Sequence, residues 1–236
     1  YLFGSWAWFI FSMILLIMLF CYPFTRSIQS TRRLVKNCAE WIVRLTRLNL
    51  VVEGEENLID GSSILVANHA SYTDPMVLAA ALPADFAFVA KKELKYIPFA
   101  GYVLGKIGTH LVDRKNPRKG ADDFNKIMKS SKENDSIIFF PEATFLKEEG
   151  LLKFKKGAFL TAVKSQVPVV PITINGSRRL LRSESWLPEN VQLKVTIHQP
   201  IPTDHPEMEL KEIMEEARQK ILSNLGEPDL HTRSFK

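Results

Sequence analysis

The chain has 236 residues, 46% of them hydrophobic, and a formal charge of +5; that is enough for one sizeable core and excludes intrinsic disorder. Its two cysteines, Cys21 and Cys38, lie in the N-terminal segment at no metal-ligand or disulfide-framework spacing, which excludes a zinc- or disulfide-built scaffold and fits a reducing compartment. The basic balance suits an anionic partner, whether lipid headgroups, a phosphorylated substrate, an acidic carrier protein or nucleic acid, without choosing among them.

From Tyr1 to Thr25 no residue is charged, and Trp6 to Tyr22 is apolar except for Ser12. Seventeen helical residues reach roughly 26 Å, and extension over residues 2–24 covers a hydrocarbon core of about 30 Å. The run has no basic residues before it and no small-residue cleavage site after it, so it reads as a membrane segment rather than a signal peptide. Residues 26–47 carry Arg26, Arg32, Arg33, Lys36, Arg44 and Arg47 against Glu40, while Leu34, Cys38, Trp41, Leu45 and Leu48 recur at helical steps. An amphipathic basic helix is expected, packed on the core with a solvated basic face or lying along anionic lipid. The excess of Arg and Lys puts this side in the cytoplasm.

Strands are expected over residues 48–53, 63–68, 86–90, 107–112, 136–140, 169–174 and 191–198, several being continuous β-branched runs suited to a sheet covered on both faces. Helices are expected over 75–82, 117–133, 154–165 and 208–225, with Pro75 and Pro117 in first turns. Interleaving of this kind predicts an α/β fold, a layered sheet with flanking helices, behind an N-terminal membrane-anchoring helical segment. Two units follow: 1–50, the membrane segment and basic helix, and 51–236, a catalytic-sized domain.

Four stretches carry candidate chemistry. Asn68 to Asp74 follows the apolar run Ile64-Leu65-Val66-Ala67 and offers His69 and Asp74 five positions apart on a loop. Such a pair alone is weak, because chance supplies it in about one chain in five. An imidazole can serve as a base near neutral pH, and a carboxylate on its other nitrogen would fix its tautomer. No Gly-x-Ser-x-Gly is present, so the nucleophile comes with the substrate.

Gly108 to Arg114 ends in Asp113-Arg114; Arg114 suits a phosphate, or pairs with Asp113 at the surface. Glu142, where the 136–140 strand opens into a loop, binds a hydroxyl or a cation, or is solvated. Val167, Pro168, Val169, Val170 and Pro171 form either core or the wall of an apolar pocket, and the two prolines disfavour a central strand at their own positions. Lys91 and Lys92 stand among further lysines, and Lys155 and Lys156 precede a helix N-terminus, a plausible anion site.

In this order and at these separations, Asn-His-x-Ser-x-x-Asp, Gly-x-x-x-x-Asp-Arg, Phe-Pro-Glu and Val-Pro-x-x-Pro closely resemble the glycerolipid acyltransferase family, particularly its bacterial 1-acylglycerol-3-phosphate acyltransferases, over residues 50–200. The resemblance implies acyl transfer from acyl-CoA or acyl-acyl-carrier-protein to a lysophospholipid hydroxyl, without a covalent acyl-enzyme. It makes His69 the general base, Asp74 its orienting partner and Arg114 a ligand of the acceptor phosphate. Glu142 falls in the acceptor-binding block, with the lysines beside it as further substrate contacts, and Val167–Pro171 in a block tied to the acyl donor or acyl chain. It further implies membrane lipids as partners, no nucleic acid, no metal, no cofactor beyond the acyl thioester co-substrate, and a place on the cytoplasmic face of the inner (plasma) membrane.

One block departs from the family's usual Phe-Pro-Glu-Gly-Thr-Arg: Ala143 stands for the glycine and Phe145 for the arginine. The first change restricts the loop if the position needs φ above zero. The second removes a phosphate ligand, which leaves open another lysophospholipid headgroup or a non-catalytic lipid-binding relative.

Overall fold

The computed structural model describes residues 1–97, 100–113, 123, 125–130, 136–182, 185–204 and 209–231. Seven strands, β1 (Asn49–Glu53), β2 (Ile64–Ala67), β3 (Phe86–Lys91), β4 (His110–Val112), β5 (Ser136–Phe139), β6 (Val169–Asn175) and β7 (Gln192–Ile197), form one sheet in the order β1-β7-β6-β2-β5-β3-β4. Neighbours from β6 across to β4 run parallel, while β7 is antiparallel to β6 and parallel to β1. All seven expected strands are present, each within a few residues of its expected bounds, and the α/β layered architecture stands.

Residues alternate across a strand, so each one feeds two cores. Ile64 and Val66 of β2, with Ile137 and Val169, pack under α5 (Gly157–Ser165) and α7 (Leu210–Leu225). Leu65 and Ala67, with Ile138, Val170 and Ile172, pack on the opposite face against Val77 and Leu78 of α3 (Asp74–Ala81). Both layers are fully dry at β2, whose four residues are all buried. Two further helices are α4 (Ala100–Lys106) and α6 (Ser177–Leu180), and residues 125–130 of the expected 117–133 helix are helical.

At the N-terminus α1 (Leu2–Cys21) passes through a 3₁₀ turn, Tyr22–Phe24, into α2 (Ile28–Thr46). A capping box starts α2: Ser27 Oγ accepts from the Ser30 amide (3.1 Å) and Ser30 Oγ accepts from the Ser27 amide (3.0 Å). Ile10 and Ile14 of α1 meet Cys38 and Ile42 of α2, with Met76 of α3 beneath. One face of α1 is bare: Phe9, Leu16 and Phe20 are at least 60% exposed, far more apolar surface than a water-facing helix shows.

Three sequence expectations are corrected. Arg32, assigned to the solvated face of α2, is buried, its Nε donating to Ile107 O (2.8 Å) and its Nη1 to Asp85 O (3.3 Å). Trp41, assigned to the apolar stripe, is 49% exposed with Arg44 over its ring; the inward face is instead Thr31, Arg32, Cys38, Ala39, Ile42 and Thr46. Pro171, expected to disfavour a central strand, lies in β6 between β2 and β7. Its missing N–H falls on the β7 side, where its carbonyl still accepts from His198 N (2.9 Å). The next pairing, Val169 with Ile201, leaves one extra residue on the partner segment, so the ladder bulges where the proline cannot donate.

Candidate active site

Strand β2 ends at Ala67, and Asn68 carries its register one step further. Its Oδ1 accepts from Ile174 N (2.7 Å) and its Nδ2 donates to Ile174 O (3.0 Å), fixing the exit of β2 to β6. The chain then turns so that His69 and Asp74, the first residue of α3, face each other with Nδ1 and Oδ2 2.8 Å apart. Asp74 is fully buried, and Oδ2 also accepts the amides of Ala70 (2.7 Å) and Ser71 (2.8 Å). A carboxylate oxygen accepting three donors requires the proton of His69 on Nδ1, which leaves the Nε2 lone pair free for chemistry.

Behind the imidazole stands the 142–152 loop. Glu142 is buried and uses both oxygens on main chain: Oε1 accepts from His69 N (2.6 Å) and Oε2 from Leu152 N (2.7 Å). Burial pushes its carboxyl up to about 8, against the pull of those two amides and of Arg178, with Asp74 adding to the rise. Its burial rules out the solvated alternative for Glu142, and its two amide bonds make it an internal brace for the backbone of His69. Ala143 has φ 65°, the left-handed region that favours glycine, so the alanine-for-glycine departure falls where φ above zero is needed.

Aromatic rings enclose the base. Phe140 stacks on His69 with centroids 4.3 Å apart, and Phe145 packs steeply tilted against the imidazole at 4.7 Å while also touching Tyr72 at 4.7 Å. His69 remains 18% exposed and opens into a cavity of about 640 Å³, within the usual range for small-molecule sites. Its walls are Phe11, Ile14, Leu15 and Met18 of α1, Val35, Cys38, Ala39 and Ile42 of α2, Met76 and Ala79 of α3, and Phe88 to Lys91 of β3. The imidazole of His69 thus lines an apolar chamber that is walled in part by α1.

Of the residues singled out in the sequence, the structure gathers His69, Asp74 and Glu142, and Lys91 lines the same cavity as His69. Lys92 turns aside to an ion pair with Asp113 (3.6 Å). Lys155 and Lys156 are exposed at the start of α5, beside the loop because Lys155 N donates to Pro141 O (2.8 Å), but outside the cavity. Val167, Val169, Val170 and Pro171 are buried, Pro168 is half-buried, and none of the five lines the cavity; of the two readings of that block, core fits their position. Arg114 lies outside the described residues. Sequence reasoning missed Phe140, Phe145 and Tyr72 as neighbours of the base; the aromatic residues flanking Pro141-Glu142 were the available signal. Among the described residues no three His, Cys, Asp or Glu side chains converge as a metal site.

A family model described as Acyltransferase matches residues 49–175. The 1-acyl-sn-glycerol-3-phosphate acyltransferase of Saccharomyces cerevisiae is 33% identical over 184 residues, covering 76% of this chain and 61% of its own length. That of Helicobacter pylori is 35% identical over 142 residues, 59% of each chain, and that of Borreliella burgdorferi 27% identical over 191 residues, 80% of this chain and 74% of its own. The chain therefore spans about three-fifths of the yeast and Helicobacter proteins. In fold it matches the crystal structure of the 1-acyl-sn-glycerophosphate (LPA) acyltransferase PlsC from Thermotoga maritima, with a TM-score of 0.76, 24% identity, and coverage of 100% of this chain and 97% of that one.

Proposed function

The chain belongs to the acyltransferase family, and on that premise we propose that it transfers a fatty acyl group from an acyl thioester, acyl-CoA or acyl-acyl-carrier-protein, to the sn-2 hydroxyl of 1-acylglycerol-3-phosphate, forming phosphatidic acid. Residues 51–236 form the catalytic domain in this reading, and residues 1–50 attach it to the cytoplasmic face of the inner (plasma) membrane. The observation that carries it is the His69–Asp74 pair, 2.8 Å apart, with His69 lining an apolar cavity walled in part by α1 and α2.

Neutral His69 takes the proton of the acceptor hydroxyl on Nε2 as that oxygen bonds to the thioester carbonyl carbon. Asp74, locked by three donors, stabilises the imidazolium that forms. The C–S bond then breaks, and the imidazolium returns its proton to the leaving thiolate, which restores the base. General-base assistance supplies about 10²- to 10⁴-fold, and holding two lipids in line contributes much of the remainder. The chamber suits the acyl chains: its apolar walls exclude water from the base and open towards the helix that meets the bilayer. No metal or further cofactor takes part in this scheme.

Phe145 beside His69 favours a second reading of the acceptor, a lysophospholipid with a different headgroup, because an aromatic ring gives a phosphate monoester no donor. Palmitoyl-CoA with a panel of lysolipids, followed by thiol release and product identity, separates the two. Lipid binding with no thiol release from any member of the panel would overturn acyl transfer altogether.

A further inference from the structure

Segment 146–150 has no helix or strand, yet it joins Phe145, which closes on His69, to Leu152, which holds Glu142. Its shape comes from Arg178 of α6. The guanidinium forks onto Glu227, Nε to Oε1 (3.0 Å) and Nη2 to Oε2 (2.8 Å), and its Nη1 donates to Leu146 O (2.7 Å) and Glu148 O (2.9 Å). Glu227 Oε2 in turn accepts from Gly150 N (2.7 Å). On the other side of α6, Leu181 O accepts from Ser71 Oγ (3.2 Å) in the loop that carries His69. One four-residue helix therefore touches both loops of the site. Segment 227–230 backs this arrangement: Leu151 N donates to Pro228 O (2.9 Å) and Leu230 N to Leu151 O (3.0 Å).

We propose that Arg178, held by Glu227, is a positioning residue for acyl transfer: it fixes loop 142–152 so that Phe145 stays over His69 and Glu142 stays bonded to the His69 amide. The proposal rests on the acyl-transfer reading of His69. It also gives the C-terminal segment a task, because Glu227 supplies the carboxylate that aims the guanidinium. A planar fork serves two carbonyls and a carboxylate at once, and an ammonium does not. Losing the fork frees a loop whose displacement by about 1 Å is enough to cost on the order of 100-fold in rate.

The test compares the full chain with Arg178→Ala, Arg178→Lys and Glu227→Gln in lipid micelles, using palmitoyl-CoA and 1-acylglycerol-3-phosphate, and follows amide hydrogen exchange in the same samples. Arg178→Ala is expected to lower kcat by about 10- to 100-fold with KM for either substrate within about threefold. Lysine should restore little of that loss. Exchange at the His69 and Leu152 amides should quicken in all three variants while β2, β5 and β6 stay protected. The two milder substitutions keep the test decisive if the alanine variant does not fold. Unchanged kcat per folded molecule in all three, with or without a lower melting temperature, would make Arg178 merely structural and overturn the proposal, as would unchanged exchange at His69. A wild-type chain that releases no thiol defeats the acyl-transfer reading instead, and the exchange arm then still decides whether Arg178 holds the loop.

Discussion

Phe145 packs steeply tilted against the imidazole of His69, with centroids 4.7 Å apart and the planes at 73°. Together with Phe140 stacked on the imidazole, it makes the surroundings of the base apolar, and an aromatic pair of this kind is worth about 1 kcal/mol. Phe145→Ala should therefore open a path for water, raising thioester hydrolysis relative to lipid acylation. Thiol release compared with lipid product measures that ratio; an unaltered ratio would show that Phe145 does not seal the site.

Ala143 holds φ 65°, at a cost of about 1–2 kcal/mol for a residue with a Cβ. Glycine would relieve that strain but lose about 0.5–1 kcal/mol to the flexibility of the unfolded chain. Ala143→Gly is accordingly expected to stabilise the protein by up to about 1 kcal/mol in denaturant unfolding. A clear loss of stability would mean that the alanine methyl makes a contact outweighing the strain.

Stability near neutral pH should depend on Glu142. Its carboxyl is raised from 4.5 to about 8 by burial, so between those values the folded protein holds a proton that the unfolded chain has released. Its contribution is complete below about pH 4.5 and is lost as pH rises through about 8. His198, lowered to about 4 from 6.5 by burial and by Lys220, acts in the opposite sense: its contribution is present above about 6.5 and lost as pH falls. From pH 6.5 to 8 the slope belongs to Glu142, and Glu142→Gln should flatten it in unfolding measured across that window. A slope unaffected by the substitution would assign it elsewhere.

Binding to anionic membranes should draw on α2 as well as α1. Arg33 and Arg44 of α2 and Arg47 at its C-cap are exposed, and each cation near an anionic surface is worth about 1 kcal/mol. Replacing all three by Gln should weaken partition onto phosphatidylserine-containing vesicles by roughly 100-fold at low salt, with binding to neutral vesicles preserved through the exposed Phe9, Leu16 and Phe20. Equal weakening on both vesicle types would point to damage in the helix pair rather than lost electrostatics.

The central strands were legible because a sheet buried on both faces leaves continuous apolar runs such as Ile64 to Ala67, with no solvent-facing alternation to blur them. His69 and Asp74 were legible because their chemistry needs a fixed spacing. Helix α4 escaped because Pro98, Gly101 and Gly105 break its local signal. Periodicity could not reveal that Arg32 turns inward, since the carbonyls of Asp85 and Ile107 that receive its guanidinium come from distant segments. Glu142 was found as a site residue, but its bracing of the His69 backbone was not, for the same reason: its partners are main-chain amides of residues 69 and 152, which no side-chain pattern records.

The account depends most on His69 acting as the base. Purified His69→Ala, shown to be folded by its unfolding transition and assayed for thiol release from palmitoyl-CoA in the presence of the lysolipid that the wild type uses, tests this directly. The expected result is a loss of at least about 10³-fold in kcat with lipid binding retained; turnover near that of the wild type would contradict the His69–Asp74 mechanism.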